Sequence, residues 1–275
     1  MPVTKAGAFA VDYIDAGAGP TIVLLHSSAS GNRQWRQLVE SLQARHRVLA
    51  INLFGYGETS RWPGTRPLTA ADQAELVAGV LASVPGPLAV IGHSMGAVVA
   101  FEVAARLGKR LSALVAFEPI FFGDLKARGP ADAFEEINAV AMQFARLAER
   151  DDWDAVGELF VDYWAAPGTW QAMPDKSKQY TRAMLPPVLH EWEMVMSGVR
   201  PLDGWKDITA PVHLIRAKDT RPPTRAIADL LGKTHPHWRL HEVRSGGHMA
   251  PLSRPDLVNP LVQEAIADAT QAAPA

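Results

Sequence analysis

Gly92-His93-Ser94-Met95-Gly96 constrains the fold of this chain more than any other stretch. It follows directly on the apolar run Pro87-Leu88-Ala89-Val90-Ile91 and leads into a helical segment, Ala97 to Leu107, that Gly108 is suited to close. A turn that passes from strand to helix within five residues leaves no room for side chains two residues to either side of its central serine. Glycine at both places satisfies that limit. The serine is then held in a strained backbone conformation with its hydroxyl exposed. It also stands at a helix N-terminus, where unpaired N–H groups and the helix dipole favour developing negative charge. Ser94 is therefore expected to be a nucleophile.

The surrounding pattern fits a mainly parallel sheet. Thr21 to Leu25, Arg47 to Ile51, Leu111 to Phe117, Val212 to Ile215 and Trp238 to Val243 are further short apolar runs. Runs apolar on both faces suit strands covered by helices on each side. Phe9 to Ile14 alternates and suits an antiparallel edge hairpin. Thr69 reads as an N-cap with Asp72 at the third helical position, opening a helix that runs to Ala82. Thr224 to Leu231, stopped by Gly232, and Pro255 to Ala267 read as two more helices. From Ile120 to Trp205 the alternation ceases. Phe134, Ile137, Val140, Ala141, Phe144 and Leu147 recur at helical spacing, as do Val156, Leu159, Phe160, Tyr163 and Trp164. Two further helices are expected over Lys178 to Leu185 and Val188 to Met196. The expectation is an α/β core from residues 1–119 and 206–275, with helices on both faces of the sheet. Residues 120–205 form an inserted all-helical cap over its carboxyl edge.

These pieces together resemble the α/β-hydrolase superfamily. Leu24-Leu25-His26-Ser27-Ser28 stands where relatives carry a His-Gly oxyanion loop, and Asn52 to Ser60 resembles their Asp-x-x-Gly-x-Gly-x-Ser turn. Two residues depart from the pattern, Ser27 for Gly and Asn52 for Asp. The resemblance implies that the backbone N–H groups of Ser28 and Met95 form an oxyanion hole. It also implies an acid on the loop after the penultimate strand, which here is Asp219.

Nine histidines compete for the role of base. His248, in Ser245-Gly246-Gly247-His248-Met249, follows the last expected strand on a glycine-flanked loop, at the edge where open α/β folds bind ligands. It also resembles the family's Gly-His loop. His235, His237 and His241 lack carboxylates at ligand spacing, so no metal is expected. Glu118, ending the strand Leu111 to Phe117, rivals Asp219 as the acid. Pro119 after it restricts its backbone, and the chain order serine, acid, histidine holds with either. The expected triad is Ser94, His248 and Asp219, working through an acyl-enzyme with no cofactor. Ser27, His93, Trp164 and Met196 are expected to line the substrate pocket.

Composition narrows the partners. The chain has no cysteine, which removes thiolate catalysis and disulfides, and a formal net charge of −2, which offers no positive field to nucleic acid. No segment has the roughly 20 apolar residues that span a bilayer. The N-terminal residues lack the pattern of a signal peptide, so a cytoplasmic location is expected. The partner is expected to be a small, partly apolar carboxylic ester. Carbon–carbon bond hydrolysis of a vinylogous diketone, thioester or lactone hydrolysis, and ligand reception on a hydrolase scaffold stay open, and nothing in the sequence sets the oligomeric state.

Overall fold

The computed structural model describes residues 2–197 and 199–272; residues 1 and 273–275 of the expected core and position 198 of the expected cap lie outside the described residues. Eight strands form one sheet: β1 (Val3–Ala6), β2 (Phe9–Ala16), β3 (Thr21–Leu25), β4 (Arg47–Ile51), β5 (Leu88–His93), β6 (Leu111–Phe117), β7 (Val212–Ala217) and β8 (Arg239–Val243). Their order across the sheet is β1-β2-β4-β3-β5-β6-β7-β8. β1 and β2 form the expected antiparallel edge, and every pairing from β4 onward is parallel.

The all-apolar strands divide their side chains between two cores. Val23 and Leu25 of β3, with Leu88 and Val90 of β5, join one core. Ile22, Leu24, Ala89 and Ile91, the intervening residues, join the other. Alternation along a strand sends neighbours to opposite faces, so a sheet covered on both sides needs an uninterrupted apolar run. Helices α1 (Arg36–Leu42), α2 (Ala70–Leu81) and α3 (Met95–Leu107) occupy the first half of the chain. Leu38 and Leu42 of α1 pack into the second core, whereas Val77 of α2 and Val98 of α3 pack into the first. Thr69 caps α2 reciprocally with Asp72, as expected.

Between β6 and β7 lie six helices: α4 (Phe122–Arg128), α5 (Ala131–Ala148), α6 (Trp153–Trp164), α7 (Thr169–Ala172), α8 (Asp175–Met184) and α9 (Pro186–Ser197). After β7 come α10 (Pro222–Thr234), α11 (Ala250–Ser253) and α12 (Pro255–Ala272). α10 passes through Gly232, where the sequence suggested a stop. Ile227 and Leu231 are fully buried in the first core, and that packing outweighs the modest helix penalty of one glycine. The short helices α1 and α4 were not visible in the sequence, because seven residues span too little of the helical period to show it.

Two glycines set the turn between β5 and α3. A side chain at Gly92 would stand 2.4 Å from the Gly96 carbonyl, and one at Gly96 would stand 2.3 Å from the His26 carbonyl. Both approaches are to backbone, which cannot swing aside. His26 itself joins the ends of two parallel strands. Its Nδ1–H donates to the Ser27 carbonyl at 2.8 Å, and its Nε2 accepts from the Leu53 N–H at 3.1 Å. Complete burial lowers its pKa to about 4, against the weaker opposing pull of the Ser27 carbonyl and Asp12. The neutral ring is thus built into the native state, and its contribution is complete above pH 6.5 and lost as pH falls toward 4. The expected cost of His26 protonation is about 3 kcal/mol by pH 4. Thermal unfolding measured from pH 7 to pH 4 should show melting temperature falling through this window, and the fall should be shallower in His26→Gln.

Candidate active site

The carboxyl ends of β3, β5, β6, β7 and β8 bring together the residues that carry chemistry. Ser94 follows β5 at φ 57°, ψ −120°, the strained conformation that the flanking glycines permit. Its N–H donates to the Phe117 carbonyl of β6 at 2.9 Å, which fastens the turn to the neighbouring strand. His248 lies on the loop between β8 and α11, after Gly246 and Gly247 at positive φ. Its Nε2 is 2.8 Å from Ser94 Oγ.

The partner of the other imidazole nitrogen differs from the expected one. His248 Nδ1 lies 2.7 Å from Oε2 of Glu118. Asp219 makes no contact with the ring. Its carboxylate accepts instead from the N–H groups of Gly246 at 3.0 Å and Gly247 at 2.9 Å, and its side chain is exposed. The longer glutamate reaches the ring from the end of β6, while the shorter aspartate holds the glycine loop from outside. Pro119 does not prevent this. Glu118 takes φ 43° rather than the extended geometry expected before proline, and its N–H donates to the Ile215 carbonyl, which fastens the residue to β7. Glu118 is fully buried, and its oxygens also accept from the Ala217 N–H and the Thr220 hydroxyl, each at 2.8 Å. Three donors therefore meet the oxygens of this buried carboxyl group.

The expected pocket residues divide. Ser27, Ser28 and Trp164 line a cavity that also contains Ser94, His248, Ile120, Phe160 and Trp192. The Trp164 ring lies 4.2 Å from that of His248. The empty volume within these lining residues is about 380 Å³, of which only about 20 Å³ is open to the centre of a water molecule, so the cavity is narrow. His93 is not in this cavity. Fully buried behind the turn, it donates from Nε2 to the His248 carbonyl at 2.8 Å and accepts at Nδ1 from the Gln34 side chain at 3.0 Å. Burial, and then the neighbouring His248, push its pKa well below the usual imidazole range. Met196 is also outside. It is half-buried against the first core, and Val188, Trp192 and Val195 are the apolar residues of α9 that reach the cavity. The apolar content of this segment pointed to the right helix, but content does not say which of its residues face the cavity.

Met95 is the first residue of α3, so its N–H has no acceptor within the helix. The Ser28 loop opposite is shaped by three residues that sequence reasoning missed. Gln34 Oε1 accepts from both the N–H and the hydroxyl of Ser27, at 3.0 and 2.8 Å. These two bonds occupy the serine that replaces glycine. The Tyr56 hydroxyl accepts from the Ala29 N–H at 3.0 Å and donates to Glu191 of α9 at 2.7 Å. Ala29 has φ 55°, so these bonds support a strained backbone. Gln34 lies in no motif, Tyr56 stands at a variable position of the Asn52 to Ser60 turn, and Glu191 lies on a helix whose apolar residues dominated its pattern.

Asn52, where relatives carry aspartate, donates from Nδ2 to both oxygens of buried Asp12 at 3.0 Å. An aspartate there would face a second carboxylate at that distance, so the amide suits this neighbour.

The comparisons agree with this architecture. The profile described as alpha/beta hydrolase family matches residues 22–261. A pimeloyl-[acyl-carrier protein] methyl ester esterase of Aliivibrio salmonicida is 30% identical over 204 residues, 71% of this chain and 72% of that protein. A thermophilic esterase from Thermogutta terrifontis shares the fold at TM-score 0.73 and 20% identity, over 95% of this chain and 94% of its own. The enol-lactonase from Burkholderia xenovorans LB400 does so at TM-score 0.74 and 17% identity, over 97% and 100%. With the strand order, the Ser94 turn and a profile match over most of its length, the chain belongs to the alpha/beta hydrolase family.

Proposed function

We propose that this protein is a serine hydrolase that cleaves a small carboxylic ester through an acyl-enzyme on Ser94. The observation that carries the reading is the continuous chain Ser94 Oγ, His248 and Glu118, with separations of 2.8 and 2.7 Å. His248 Nε2 takes the proton of Ser94 as the oxygen attacks the ester carbonyl. The carbonyl oxygen becomes an alkoxide held by the N–H groups of Ser28 and Met95, donors of a kind that contribute about 3–4 kcal/mol each. The imidazolium then protonates the departing alcohol and leaves the acyl group on Ser94. Water enters, gives its proton to His248 and attacks the acyl carbonyl. Collapse returns the proton to Ser94 and releases the acid. Glu118, not Asp219, is the acid in this reading. It accepts the Nδ1–H, fixes the tautomer with a free Nε2, and balances the imidazolium charge. Serine at position 94 forms an ester with the acyl group, which separates this chemistry from an aspartate nucleophile's alkyl ester.

Helices α4 to α9 are proposed to act as a cap over this site, since Phe160, Trp164 and Trp192 come from them. The methyl ester esterase among the relatives supports ester cleavage as the reaction class. The confined space favours acetyl- to butyryl-sized acyl groups over long chains.

Ser94→Ala should fold normally and lose about 10⁴-fold or more in kcat on the best ester. Glu118→Gln should cost about 10³- to 10⁴-fold, and Asp219→Asn about tenfold or less, through a loosened glycine loop. Steady-state kinetics of the three variants on one p-nitrophenyl ester check this, and a crippled Asp219→Asn beside an active Glu118→Gln would reverse the assignment. Trp164→Ala should raise the ratio of kcat/KM for octanoyl over acetyl esters by about tenfold. Met196→Ala should leave that ratio within about twofold, because its side chain lies outside the cavity.

A further inference from the structure

Glu191 is the one acidic side chain in the cavity over Ser94, and the mechanism above makes no use of it. It projects from α9 and is 2% exposed. Oε1 accepts from the Tyr56 hydroxyl at 2.7 Å. Oε2 is buried and makes no hydrogen bond of ordinary geometry. Val188, Trp192 and Val195 of the same helix line the same cavity, an apolar setting in which an unused carboxyl oxygen is costly. A brace for Tyr56 needs a single acceptor, which an amide or a hydroxyl supplies without burying a second carboxyl oxygen. The second oxygen therefore calls for a partner that arrives with the substrate.

We infer that Glu191 selects substrates, accepting a hydrogen bond at Oε2 from a hydroxyl on the acyl group of the ester. The inference rests on the reading of Ser94 as the esterolytic nucleophile. The acyl group is the part that stays in the closed cavity, since it remains joined to Ser94 after the alcohol leaves. One hydroxyl group of the protein, that of Tyr56, already donates to this carboxyl. Burial raises its pKa to about 7, and the side chains of Ser28 and Tyr56 hold it from rising further. Both its neutral and its charged form keep a lone pair for a substrate donor. The site thus suits short 2- or 3-hydroxyacyl esters over their unsubstituted counterparts. A cavity that hydrogen-bonds a substrate hydroxyl disfavours the analogue without it, which leaves the protein oxygen unpaired.

Methyl 3-hydroxybutyrate and methyl butyrate form the matched pair that tests this. Two readouts apply to the full chain: kcat/KM from titration of the released acid, and the concentration of each ester that halves the rate of Ser94 labelling by a fluorophosphonate. The wild type should favour the hydroxy ester by about tenfold or more. In Glu191→Leu the ratio should fall to about one, and in Glu191→Gln, which keeps an acceptor for Tyr56 but presents an NH₂ to the cavity, by about fivefold. Equal handling of the two esters by the wild type overturns the inference, as does a preference that is undiminished in Glu191→Gln. If Glu191 serves only to brace Tyr56, Glu191→Gln and Tyr56→Phe will slow both esters by the same factor and leave the ratio unchanged, which also overturns it. Failure of the wild type to label at Ser94 is a separate result: it removes the serine-hydrolase reading, and the substrate assignment falls with it.

Discussion

Glu118 carries a carboxylate with no exposure to water, and much of the site is arranged to satisfy it. A buried charge is tolerated only when it is paired and hydrogen-bonded. Its three donors come from three places in the chain: the N–H of Ala217 at the end of β7, the hydroxyl of Thr220 in the loop beyond, and Nδ1 of His248 after β8. Only a sheet in which β6, β7 and β8 lie side by side brings these to one point. The hydrogen bond to Ser94 then follows, because a ring anchored at Nδ1 presents Nε2 in a fixed direction. In the proposed reaction the same carboxylate faces an imidazolium for part of the cycle, and no reorganisation of water is needed to stabilise it.

A second set of contacts holds the other wall. His93 reaches from behind the turn to the carbonyl of His248, Gln34 joins His93 to Ser27, and Tyr56 links Ala29 to Glu191. The backbone at Ala29, Ser94 and Glu118 is in the left-handed region, which non-glycine residues occupy only when their surroundings enforce it. Each of the three is tied by such bonds. Strain at the ends of β3, β5 and β6 is thereby concentrated where the proposed chemistry occurs, on a sheet whose apolar runs are packed on both faces.

Much of this was legible in the residues alone. The Gly92 to Gly96 turn, the glycine loop before His248 and the strand-length apolar runs depend on local sterics and periodicity, which leave a local record. So did the helical block between β6 and β7. What escaped was decided by reach across the sheet. Glu118 and Asp219 both end strands, and nothing local reveals which carboxylate is long enough and suitably placed to meet His248 Nδ1. The apolar and aromatic content of the helical block suggested Met196 for the pocket, but the rotation of α9 turns Val195 and Trp192 inward instead. His93 was expected in the pocket, whereas its two ring nitrogens are taken by the His248 carbonyl and Gln34. Gln34, Tyr56 and Glu191 act through contacts distant in sequence, and single polar residues carry no pattern.

The hydrogen bond between Glu118 and His248 is the feature on which the account depends, and proton NMR observes it without reference to any substrate. A proton shared between imidazole Nδ1 and a buried carboxylate is strongly deshielded and protected from exchange with water. One such far-downfield resonance is expected in the wild type, retained in Asp219→Asn and absent from Glu118→Gln. Loss of that resonance in Asp219→Asn, with its retention in Glu118→Gln, would contradict the arrangement described here.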